Sequence, residues 1–140
     1  MKITVREGLG AHEFMALDSE VAEAVKQVEA SATDTMQFAK SVSALMDRYG
    51  VEGYLRLVGG DFLDGFLQLH LTNFTHNITI SVGIGERMAR SLLSTYRRAN
   101  DGSPFVAMID IQGEPSFSRE CKTLEALLDT VEGYFKEWME

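Results

Sequence analysis

Three groups of residues in this 140-residue chain have the types and spacing to do chemistry. The first is acidic. Asp18 closes the apolar run "FMALD", and Glu20 follows two residues later. Asp61 stands behind a glycine pair in "LRLVGGDFLDGF", with Asp64 three residues further on. Carboxylates at strand ends suit a hard divalent ion, which takes oxygen ligands and often shares them with substrate phosphates. Such an ion polarises a phosphoryl group or activates a hydroxyl. Convergence of Asp18 and Asp61 requires the strands that carry them to be neighbours. Each acid also has a plain structural use. Asp18 before "SEV" fits a helix N-cap, and Asp61 fits a turn.

The second group is "SVGIGER", in which a strand runs through Gly83 and Gly85 into a helix. Free N–H groups at a helix start hold anions. Close strand–helix packing is the other use of such glycines. The full dinucleotide fingerprint is absent, because Glu86, Arg87 and Met88 follow Gly85. The third group is basic. At helical spacing, Arg87, Arg90, Ser94, Arg97 and Arg98 share one arc, opposite Met88, Ala89, Leu92, Leu93, Tyr96 and Ala99. That arc is either a solvated face or a contact for phosphate or an acidic partner. His12, His70 and His76 lack zinc-site spacing, and His70 and His76 read as surface residues near one turn. Cys121 reads as a packing residue beside the last helix.

The elements that must position these groups follow from hydrophobic periodicity. Strands are expected at 2–5, 12–18, 54–58, 62–71, 77–84 and 104–111. The central pair forms a hairpin around Gly59-Gly60-Asp61, since glycine supplies the positive φ a tight turn needs. Helices are expected over 19–30 and 31–50, with Ser31 or Thr33 as cap and Gly50 as the C-terminal stop. Further helices are expected from Gly85 to Asn100 and from about Arg119 to Met139. The last carries Leu124, Leu127, Leu128, Val131, Tyr134, Phe135 and Trp138 on one face. "GEPS" reads as a loop. This interleaving predicts one domain over residues 1–140. Its class is α/β, in the form of an α+β sandwich with a mostly antiparallel sheet and helices packed on it.

Composition bounds the function. A net charge of −8 opposes binding to duplex nucleic acid, which is held through its phosphates. One cysteine excludes an internal disulfide. "MKITVREGLG" carries no signal-like apolar core, and no apolar run reaches the ~20 residues of a membrane span. The expectation is a cytoplasmic protein without a membrane partner.

Taken together, "FMALDSE", "VGGDFL" and "TISVGIGERMARSLLSTYRRANDG" resemble the palm domain of the nucleotidyl cyclases. That group comprises the GGDEF proteins and the CRISPR polymerase palm, and the likeness is strongest to minimal CRISPR polymerases. It runs from about His12 to Pro104. Tyr96 and Gly102 keep the spacing of the pattern that ends the family's helix. The resemblance implies a ferredoxin-like palm fold. It implies Mg²⁺ or Mn²⁺ held by Asp18, Glu20 and Asp61. It also implies a nucleoside triphosphate or cyclic nucleotide near Gly59, Gly60, Gly83, Gly85, Arg87 and Arg98, and a homodimer or higher homo-oligomer. The activity implied is nucleotidyl transfer to a cyclic or short oligonucleotide signal, as in antiviral defence.

Three positions depart from the family pattern. Phe62 replaces the second acid of the hairpin, Ala99 replaces the phosphate-binding lysine, and "HLTNFTHN" is too short for a crossover helix. The last departure predicts that the sheet continues as a meander. The first leaves two outcomes: Asp64 supplies the missing acidity among the catalytic residues, or the chain keeps nucleotide binding or protein interaction without catalysis. A third reading is an interaction protein that shares only the sandwich fold.

Overall fold

A computed structural model describes residues 5–6, 34–58, 65–99 and 101–139. The elements in order are β1 (Val5–Arg6), α1 (described over 34–49), β2 (Gly53–Val58), β3 (Phe66–Leu71), β4 (Ile78–Ile84), α2 (Glu86–Thr95), β5 (Phe105–Ile111), β6 (Phe117–Cys121) and α3 (Leu124–Trp138). The six strands lie in sequence order, β1-β2-β3-β4-β5-β6. β1 pairs parallel to β2, and every other pair is antiparallel. This is the α+β sandwich with a mostly antiparallel sheet, and the meander follows from the short 72–77 connection. A link of that length can only turn the chain back beside itself.

Strand register sorts the side chains. One rung runs Leu55, Leu69, Ile80, Ile109, Phe117 across β2 to β6. Its first four members are fully buried. Each such aliphatic side chain contributes about 1.5–3 kcal/mol by leaving water. This apolar face meets α1 and α3. Gly53 faces Met46 of α1, and Cys121 Sγ lies 3.7 Å from Thr130 of α3. Phe38, Val42 and Met46 of α1 and Leu127, Val131 and Phe135 of α3 complete the core. Glu132 joins the two helices by accepting from Arg48 at 3.0 Å and from the Tyr49 hydroxyl at 2.6 Å. α2 lies on the opposite face, over β4.

Both α1 and α2 end in the same hydrogen-bonded turn. Val51 N–H donates to Met46 O after α1, and Arg98 N–H donates to Leu93 O after α2. The motif places one residue in the left-handed region. Gly50 holds it at φ 69°, as its sequence position suggested, while Arg97 holds it at φ 55°. α2 therefore stops at Thr95, five residues before the expected end. Arg97, Arg98 and Ala99 leave the helix and are all exposed. The basic arc on α2 reduces to Arg87 and Arg90 with Ser94.

The C-terminal region also differs from expectation. Residues 117–121, "FSREC", form β6 against β5, and α3 begins at Leu124 instead of Arg119. Thr123 Oγ1 accepts from Ala126 N–H at 3.1 Å and caps α3 there. Arg119 and Glu120 in the middle of the strand hide its β character. They are tolerated because β6 is a short edge strand with exposed, charged positions.

Candidate functional site

The sheet face opposite α1 and α3 is polar over much of its area. One rung reads Tyr54, His70, Thr79, Asp110, and the next reads Arg56, Gln68, Ser81, Met108, Ser118. Period-two alternation puts these residues opposite the leucines and isoleucines of the core. The Tyr54 and His70 rings stack at 5.0 Å with 22° between their planes. Arg56 Nε donates to Gln68 Oε1 at 3.1 Å. Because arginine only donates, that bond fixes the amide orientation. Gln68 Oε1 also lies 3.2 Å from His70 Nε2, so Nε2 carries the hydrogen. His70 Nδ1 in turn lies within hydrogen-bond reach of Thr79 Oγ1, at 3.2 Å. Arg56, Gln68, His70 and Thr79 thus form one hydrogen-bonded chain across β2, β3 and β4. A cavity of about 500 Å³ opens beside it, bordered by Tyr54, His70, Thr72, Asn77 and Thr79. That volume is in the range of small-molecule sites.

The polar row continues under the end of α2. The Tyr96 hydroxyl donates a short hydrogen bond to Asp110 Oδ2. Burial, followed by that carboxylate, pushes the Tyr96 pKa above the ordinary 10.0. Ser81 Oγ is fully buried and, among the described residues, is the buried side-chain polar atom without a hydrogen-bond partner. Its position beside the Tyr96 hydroxyl acts against the upward shift. At the edge of the sheet, Asp101 and Glu120 share a carboxyl–carboxyl contact. The contact raises Glu120, whereas the Ser103 N–H chiefly lowers Asp101.

Asp18, Glu20, Gly59, Gly60, Asp61 and Asp64 lie outside the described residues, as does Phe62. β3 has β2 on one side and β4 on the other. The space above Gly83 is taken by α2, since a Cβ there would lie 2.5 Å from Ala89 Cα. Gly85 is the N-cap of α2 at φ 93°, with no side-chain capping bond. Arg87 is exposed in the first turn of α2. Arg98 lies beyond the far end and donates to Ser116 O at 2.8 Å. The ten-residue helix, about 15 Å long, lies between the two positions.

Among the described residues, no three His, Cys, Asp or Glu groups come together as metal ligands. No described helix is long and apolar enough to cross a membrane. Sequence reasoning passed over Tyr54, Arg56 and Gln68, and read His70 as a surface residue. The signal available was the run of polar alternates in three successive strands, "YLRLV", "FLQLHL" and "ITISV". His70 is half-buried inside the network and not a free surface residue. Compared with known proteins, the chain matches no family model, no curated protein and no solved structure.

Proposed function

We propose that the chain is a nucleotide-binding module that works without metal-dependent transfer, with its site on the polar sheet face. The observation that carries this reading is the stacked Tyr54–His70 pair, tied through Gln68 to Arg56 and set beside the 500 Å³ cavity. A π-platform takes a base by stacking, worth about 1–3 kcal/mol per base by alanine substitution. Thr72, Asn77 and Thr79 offer donors and acceptors for a base edge. Arg56 is the cation of the row and suits a single phosphate. One small anion is compatible with an acidic chain in a way that a polyanion is not.

The test is calorimetry with AMP, ATP and GTP, with Mg²⁺ and with EDTA. Affinity that survives EDTA and falls about tenfold or more in Tyr54→Ala is the expected result. Affinity unchanged by Tyr54→Ala refutes the site. The nucleotidyltransferase implied by the palm resemblance is separated in the same assay. It requires product formation with Mg²⁺ or Mn²⁺ and loss of that product in Asp61→Ala.

A further inference from the structure

A second cavity, of about 270 Å³, lies at the same end of the sheet but beside α3. Its walls include Phe74, His76, Ile78, Ile111, Glu114 and Trp138. Phe74 and Trp138 meet edge-on, with centroids 6.0 Å apart and planes at 77°. Tyr134 stacks on Trp138 at 5.2 Å and 20°, which fixes the indole in place. Two roughly perpendicular rings and the exposed Glu114 border one cavity, the kinds of group that hold an organic cation. Ring faces attract a diffuse positive charge, and an anion nearby completes the attraction. The volume is below that of drug-sized pockets and suits a small head group. The chain's net charge of −8 adds a long-range field of the right sign.

We propose that this cavity binds a quaternary or methylated ammonium group, with Phe74 and Trp138 as its aromatic walls and Glu114 as its counter-charge. The site is separate from the polar sheet face and does not depend on what that face binds.

Trp138 is the single tryptophan of the chain, so its emission reports on this site alone. The full chain is titrated at constant ionic strength with choline chloride, with tetramethylammonium chloride, and with 3,3-dimethylbutan-1-ol, the neutral isostere of choline. The expected result is a saturable change in emission with both cations in the millimolar range, and binding of the alcohol several-fold weaker. Glu114→Gln weakens the cations several-fold and leaves the alcohol unchanged. Phe74→Ala abolishes the saturable change. The proposal is overturned if neither cation gives saturation, or if the alcohol binds as well as choline. It is likewise overturned if Glu114→Gln leaves choline affinity intact. The comparison of choline with its isostere uses the unaltered protein, so it holds even if a variant fails to fold.

Discussion

Gly83→Ala should be among the most damaging single-methyl additions in the chain, and the reason is geometric. A Cβ at Gly83 would sit 2.5 Å from Ala89 Cα, 2.6 Å from Ala89 N and 2.8 Å from Met88 C. All three are backbone atoms of α2, so no rotamer change relieves the clash. Restoring ordinary contact requires α2 to move off β4 by about 1 Å, in an interior packed as densely as an organic crystal. Met88, Ala89, Leu92 and Leu93, all buried, would lose contact together. Overpacking a tight core costs about 1–3 kcal/mol, and an unyielding backbone puts this case near the upper figure. For a chain of this size that corresponds to a fall in Tm of roughly 10 °C.

Urea unfolding followed by Trp138 fluorescence measures the effect without any ligand. A loss below about 0.5 kcal/mol would refute the packing argument. The result also bears on what "SVGIG" is for. A phosphate-cradling glycine would leave unliganded stability unchanged and lose nucleotide affinity instead.

Other substitutions test other links. Gly133→Ala, in an exposed turn of α3 where a Cβ meets nothing within 4 Å, should stabilise the fold by about 0.5–1 kcal/mol in the same urea experiment. Arg97→Gly relieves the left-handed backbone at φ 55°. The strain removed, about 1–2 kcal/mol, exceeds the added unfolded-state entropy, about 0.4–1 kcal/mol, so a net gain near 0.5–1 kcal/mol is expected. Tyr96 titrates above 10.0 in the fold because burial and the Asp110 bond favour its neutral form. Its contribution is therefore present below the unfolded pKa and is lost as pH rises through the folded one. The stability difference between wild type and Tyr96→Phe should be flat from pH 7 to about 9 and shrink above 10; a difference constant up to pH 11 would contradict the assignment.

Much of the fold was legible because strands with one buried face advertise it. "ITISV" and "FVAMIDI" alternate or run apolar over the length of a strand, and β4 and β5 lie within a residue of their expected bounds. The C-terminal stop of α1 was legible because it uses glycine; that of α2 was not, because Arg97 occupies the same left-handed position. β6 was missed because an edge strand needs few apolar residues, and "SRE" gives no periodic signal.

The polar face exposes a deeper limit. Local alternation tells which residues of one strand share a side, but cross-strand partners are set by register, and a slip of one residue would reverse every face. Gln68 and His70 are visibly polar positions in "FLQLHL". That they meet Arg56 and Tyr54 on one side and Ser81 and Thr79 on the other follows only once β3 is placed between β2 and β4. The strand order thus builds the Tyr54–His70 platform independently of the sequence-derived carboxylates, and the ligand-binding test on Tyr54 and the product test on Asp61 separate the two readings.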